Sequence, residues 1–215
     1  MVYDVAVIGA GVVGGLIARE LSRYRLSIVI VERSHDVAMG TTKANSAIVH
    51  AGYDAECGSL KAKLNVEGSR MMEGLCKKLG VKYIRNGSLV VAYRTQDMER
   101  VQELYERGQK NGVEGLEILD SKALHQMEPS LSETACGALF APTGAIVCPY
   151  ELNVAAVGNA MDNGADLLLD WEVTAIAAEQ DGYILHSGEN SVKARYVVNA
   201  AGVYADHIAA MVGDT

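Results

Sequence analysis

The chain has 215 residues, enough for one large domain or for a nucleotide-binding lobe with a smaller second lobe. Apolar residues make up 49% and charged residues 21%, a globular balance that excludes a disordered or fibrous chain. The formal net charge of −8 argues against a general nucleic-acid binder, which needs a basic face to displace counterions from phosphates.

Residues 2–8 are apolar and β-rich, residues 12–24 repeat apolar side chains at helical spacing, and residues 27–31 are apolar again, so the chain opens as a β-α-β unit. From Ser34 to Asp54 the sequence is rich in Gly, Thr, Ser, Asn and Ala and reads as a loop or short helix start, of a kind able to lie against a ligand. An amphipathic helix is predicted over 59–80, followed by two strands around Asn86-Gly87, a hairpin signal, and a second helix over 95–111 that ends near Gly112. Asp120-Ser121 opens a short helix over 120–127, and apolar strands flank Pro142-Thr143-Gly144. A helix over 150–163 leads into β-rich segments near 166–168, 171–178, 182–186 and 191–198, with a last helix from about 204. The expected organisation is a nucleotide-binding domain from 1–80 and 149–215, interrupted by an α+β substrate lobe at 81–148.

No apolar run reaches the roughly 20 residues of a membrane span, and the first residues lack the basic and cleavage regions of a signal peptide. A cytoplasmic protein with at most peripheral membrane association is expected. Cys57, Cys76, Cys136 and Cys148 show neither CxxC nor zinc-ligand spacing with histidine, which points to unpaired thiols and no metal site.

The first strand runs into Gly9-Ala10-Gly11-Val12-Val13-Gly14. The first Gly permits the turn, the second admits a pyrophosphate, the third lets helix and strand pack, and the helix N terminus stabilises the anion. Glu32 stands 21 residues after Gly11, at the end of the second strand, where its carboxylate accepts from ribose hydroxyls and repels a 2′-phosphate. These residues specify a dinucleotide, and a structural reading of Glu32 as a solvated acid at a strand end stands as the alternative. They do not distinguish FAD from NAD.

Two later segments bear on that choice: Thr41-Thr42-Lys43-Ala44-Asn45-Ser46 running on to His50 and Gly52, and Val197-Val198-Asn199-Ala200-Ala201-Gly202. With the glycine motif, Glu32-Arg33, Pro149–Leu152 and Glu172-Val173, they resemble the glycerol-3-phosphate dehydrogenase and oxidase branch of the D-amino-acid-oxidase-like flavoprotein superfamily. The resemblance spans nearly the entire chain. It implies a Rossmann-like FAD-binding domain with an inserted substrate lobe, and FAD as cofactor. It implies that Thr41, Thr42, Lys43, Asn45 and Ser46 line pyrophosphate and flavin, and that Val173 meets adenine through its backbone. Ala200, Ala201 and Gly202 are then expected to flank the ribityl-pyrophosphate region, whereas locally Gly202 reads equally as a close backbone approach or a simple turn.

The resemblance places His50 at the isoalloxazine ring, where an imidazole removes a hydroxyl proton as hydride leaves for the flavin, or orients the substrate. A hydrogen-bonded structural histidine is the alternative. Ser46, four residues earlier, is a candidate for binding substrate or flavin, and no G-x-S-x-G elbow surrounds it. The expected reaction is oxidation of sn-glycerol 3-phosphate, with electrons passing to oxygen, a quinone or a partner protein. Two alternatives stand beside it: oxidation of another small hydroxy acid or amino acid, such as 2-hydroxyglutarate or a D-amino acid, and a cofactor-binding piece without turnover. The last rests on the chain stopping at Gly213-Asp214-Thr215, before the segment that carries further substrate contacts in the resembling family.

Overall fold

The computed structural model describes residues 2–213; Asp214 and Thr215, at the end of the expected second part of the nucleotide-binding domain, lie outside the described residues. The chain opens with β1 (Val2–Ile8), α1 (Val12–Leu21) and β2 (Ile28–Val31). A one-turn 3-10 helix at Thr41–Lys43 precedes β3 (Ile48–Val49), α2 (Leu60–Leu79), β4 (Tyr83–Ile84) and β5 (Ser88–Ala92). Then come α3 (Asp97–Asn111), β6 (Glu117–Asp120), α4 (Ser121–Met127), β7 (Gly137–Ala141) and β8 (Ala145–Val147). The chain closes with α5 (Pro149–Asp162), β9 (Asp166–Leu168), β10 (Ala175–Glu179), β11 (Gly182–Ser187), β12 (Asn190–Asn199) and α6 (Ala205–Ala210).

These elements form two compact units, one of 1–46, 79–81 and 148–215, the other of 47–78 and 82–147. The division differs from the expected 1–80, 81–148 and 149–215, because the segment from Ala47 and most of α2 pack with 82–147. Val66 of α2 shares a core with Tyr53, Val101, Leu104 and Leu139, which sets where that segment belongs.

The first unit is the expected Rossmann-like α/β fold. Its six-stranded sheet has the order β10-β11-β12-β1-β2-β9. β12, β1, β2 and β9 run parallel, and β10 and β11 are antiparallel additions at one edge. Strands of a sheet covered on both faces read as unbroken apolar runs, as Val5–Ile8 and Ile28–Val31 do. Val5, Val7, Ile28 and Ile30 pack with Ala18 of α1 and Val157 and Ala160 of α5. Ala6, Ile8, Val29 and Val31 pack on the other face with Trp171, Val173, Leu185 and Ile208.

The second unit holds two three-stranded sheets, β3-β8-β4 and β5-β7-β6. The hairpin expected around Asn86-Gly87 does not form, for β4 pairs with β8 and β5 with β7. Residues 83–92 instead run antiparallel to 137–147, with Tyr83 opposite Val147 and Ala92 opposite Gly137. The Gly87 N–H donates to the Gly144 carbonyl at 2.9 Å, and a Cβ on Gly87 would meet the Phe140 ring at 2.5 Å. A non-local partner strand thus took the pairing that a local turn would have used. The helix signals fared better: the Asp120 carboxylate caps α4 by accepting the Ala123 N–H at 2.8 Å, and Gly112 closes α3 with φ +83°.

Among the described residues no helix is long and apolar enough to cross a membrane, and no three His, Cys, Asp or Glu side chains cluster as a metal site. The four cysteines are free thiols.

Candidate functional site: the glycine loop and the carboxyl ends of the parallel strands

The parallel strands β12, β1 and β2 all end at the same edge, where α/β sheets bind ligands. Gly9 follows β1 with φ +104°, and a Cβ there would meet the Ala200 carbonyl oxygen at 2.5 Å. A Cβ on Gly14 would overlap the Gly9 carbonyl oxygen, so glycine is what lets α1 start against the strand. Gly11 caps α1 without a side-chain bond of its own, and the first turn carries no acidic residue, so the helix itself places no negative charge at its positive end. Val12 and Val13 open this helix, and the Val13 side chain is exposed.

Glu32 does more than the sequence reading assigned to it. Its Oε2 accepts the Ala10 N–H at 2.8 Å and its Oε1 the Ser34 N–H at 3.0 Å. Each carboxylate oxygen keeps a second acceptor position, so holding the loop and meeting ribose hydroxyls are compatible. Arg33 lies with its guanidinium carbon 4.0 Å from the centre of the Tyr204 ring, a cation–π contact. Tyr204, and beyond it the Glu172 and Glu32 carboxylates, push the Arg33 pKa up, so the side chain stays charged.

Thr42 is buried, and its Oγ1 accepts the Val12 N–H at 3.0 Å, tying the 3-10 turn to the start of α1. Thr41, Lys43, Asn45 and Ser46 are exposed. Asn45 Nδ2 donates to the Thr42 carbonyl at 2.9 Å and closes the turn. The Val173 side chain belongs to the core. Its segment runs beside Glu32, since the Trp171 N–H donates to the Glu32 carbonyl at 2.8 Å. Ala200 donates its N–H to Ile8 at 2.9 Å, Ala201 follows, and Gly202 has φ +60° with open space around it, which favours a turn over close packing.

A family model for the FAD dependent oxidoreductases, DAO, matches residues 4–215. The chain belongs to the DAO family. Glycerol 3-phosphate dehydrogenase of Caloramator mitchellensis is 46% identical over 212 residues, covering 99% of this chain and 44% of that protein. Mitochondrial L-2-hydroxyglutarate dehydrogenase of Mus musculus is 34% identical, over 96% of this chain and 47% of that protein. A dithionite-reduced L-α-glycerophosphate oxidase from Mycoplasma pneumoniae with FAD bound superposes with a TM-score of 0.93 at 28% identity, over 98% of this chain and 57% of that one. The chain spans about half the length of the relatives it matches.

FAD is the cofactor, and the DAO chain fits it: Gly9 and Gly14 let strand, turn and helix close together where a Cβ would meet backbone oxygens, α1 carries no acid in its first turn, and an acid stands at the end of β2. The sequence reading missed Asn153, a fully buried side chain of α5 whose Nδ2 donates to the Ala10 carbonyl at 2.8 Å. Its only signal was an amide between Leu152 and Ala156 on an otherwise apolar helix face.

His50 lies in the other unit, half-buried, and its Nδ1 accepts the Gly52 N–H at 3.1 Å. The neutral ring therefore carries its proton on Nε2. Asn65 Nδ2 donates to the His50 carbonyl at 3.0 Å, and the Tyr53 ring stands 4.6 Å away, tilted 45°. Burial pushes the Tyr53 phenol up, so Tyr53 is a neutral neighbour. The remaining histidines, His35, His125, His186 and His207, are exposed or half-buried.

Proposed function

We propose that this chain is the FAD-binding part of an enzyme that oxidises sn-glycerol 3-phosphate to dihydroxyacetone phosphate. The observation that carries the reading is the 46% identity, over 99% of the chain, to a glycerol 3-phosphate dehydrogenase, against 34% to an L-2-hydroxyglutarate dehydrogenase. Bound FAD supplies the two-electron acceptor for the substrate's C2 hydride. The glycine loop and α1 hold the pyrophosphate, and Glu32 the adenosine ribose. Thr41, Thr42, Lys43, Asn45 and Ser46 line pyrophosphate and flavin, the Val173 backbone meets adenine, and Ala200, Ala201 and Gly202 flank the ribityl-pyrophosphate region. The electrons leave to oxygen, a quinone or a partner protein.

His50 is assigned to the substrate. In the tautomer set by Gly52, His50 donates from Nε2 and orients the substrate oxygen. Acting as base at Nε2 requires the other tautomer and loss of the Gly52 bond. The two roles separate in variants: His50→Gln keeps a donor near the Nε2 position and retains kcat within about tenfold for an orienting role, whereas loss of a base costs roughly 10²–10⁴.

The substrate assignment is tested by anaerobic mixing of the FAD-loaded protein with sn-glycerol 3-phosphate, 2-hydroxyglutarate or a D-amino acid, following the visible flavin band. Fast bleaching by sn-glycerol 3-phosphate alone is expected. Preferential bleaching by 2-hydroxyglutarate would move the assignment to the second relative. A flavin that no substrate bleaches would favour a cofactor-binding piece, a reading the partial coverage of the relatives supports.

A further inference from the structure

The backbone of Ala10 is held from three directions. Its N–H donates to Glu32 Oε2 at 2.8 Å, and its carbonyl accepts from the Ala38 N–H at 3.1 Å and from Asn153 Nδ2 at 2.8 Å. Of these donors only Asn153 is a side chain, and it arrives from a helix 143 residues away in sequence. Asn153 is 0% exposed on the face of α5 that packs on α1, and Gly15 is what admits it: a Cβ there would meet Asn153 Oδ1 at 2.6 Å. Oδ1 itself has no hydrogen-bond partner. A buried polar atom without a partner is a cost that a leucine at the same place would avoid, so stability alone does not explain the amide.

The geometry of one peptide group suggests what does. The C=O of Ala10 and the N–H of Gly11 belong to the same planar unit, and in a trans peptide they point in opposite directions; no cis bond occurs among the described residues. Turning the carbonyl inward to Asn153 turns the Gly11 N–H outward. Ala10 is fully buried while Gly11 is half-exposed, as that orientation requires. The reverse orientation would present a carbonyl oxygen to an anion at the start of α1 and repel it.

We propose that Asn153 is a positioning residue for the cofactor: by anchoring the Ala10 carbonyl it locks the Ala10–Gly11 peptide with its N–H aimed at the FAD pyrophosphate. The inference rests on FAD binding and not on the choice of substrate. Its test measures FAD dissociation from the chain by flavin fluorescence, and unfolding of the apo-protein, for wild type, Asn153→Leu and Asn153→Asp. Asn153→Leu fills a similar volume without a donor. It should raise the FAD Kd about tenfold or more, the worth of one lost hydrogen bond, with the apo unfolding midpoint unchanged or higher.

Asn153→Asp gives a readout that a merely structural role would not move. A protonated carboxyl can donate to the Ala10 carbonyl and an ionised one cannot, so FAD affinity in this variant should fall as pH rises through the carboxyl titration while wild type stays flat. Wild-type affinity in Asn153→Leu overturns the proposal. So does a loss of FAD matched by a drop in apo unfolding midpoint, together with a pH-independent Asn153→Asp. Failure of the wild-type chain itself to bind FAD is a separate result, and would refute the cofactor assignment.

Discussion

The glycine loop and the His50 turn are organised in opposite ways. Around the loop, bonds from Glu32, Thr42 and Asn153 span 22, 30 and 143 residues, so the local backbone is fixed by the whole fold of its unit. The His50 ring is held by a bond to Gly52 two residues on and by the flank of Tyr53. Binding an anion on backbone amides needs donors that do not reorganise, since each amide contributes only if it already points at the charge. A ring whose Nδ1 accepts a backbone N–H has a defined neutral tautomer with its proton on Nε2, which a single local bond provides.

That contrast can be broken most severely at Gly14. Gly14→Ala should abolish FAD retention on purification, a loss above about 100-fold, because a Cβ overlaps the Gly9 carbonyl and overpacking of this kind typically costs about 1–3 kcal/mol or more. Flavin absorbance of the purified variant checks it, and normal yellow protein would show that the loop adapts. At His50 the same assay should move little: His50→Gln keeps FAD and changes turnover, which places the two regions on different steps.

The smallest effect lies away from both, at Tyr3, whose hydroxyl donates to Asp166 Oδ2 at 2.7 Å. Burial, then the Asp166 carboxylate, pushes the Tyr3 pKa up from 10.0 to about 12. The unfolded chain therefore loses this proton before the folded one. The contribution is complete below about pH 10 and declines as pH rises towards 12. Tyr3→Phe should lower the unfolding midpoint modestly at neutral pH, where the contribution is complete, and flatten the alkaline fall.

The legible parts of the sequence were those whose cause is local. Gly9, Gly11 and Gly14 announce a strand-turn-helix because backbone sterics act over a few residues, and Glu32 follows at the end of the next strand. Asn153 was illegible because its partner, the Ala10 carbonyl, has no side-chain signature and lies far off in the chain. The Asn86-Gly87 reading failed for a related reason: a turn dipeptide specifies a bend, while the partner strand at 137–147 decides what pairs. Nor did composition reveal that Ala47 to Lys78 packs with the second unit, since an amphipathic helix shows that it has a buried face without showing against what. His50 was found by resemblance, and only the Gly52 contact added its tautomer.

The central claim is that this chain binds FAD through a loop whose geometry Glu32 holds. Titration of apo-protein with FAD, comparing wild type with Glu32→Ala, tests it most directly. Removing a carboxylate that accepts two backbone N–H groups, and that we propose meets the ribose, should weaken FAD by about 100-fold, the scale of charge-assisted bonds of about 1.5–3 kcal/mol. Equal affinity in the two proteins would contradict the account.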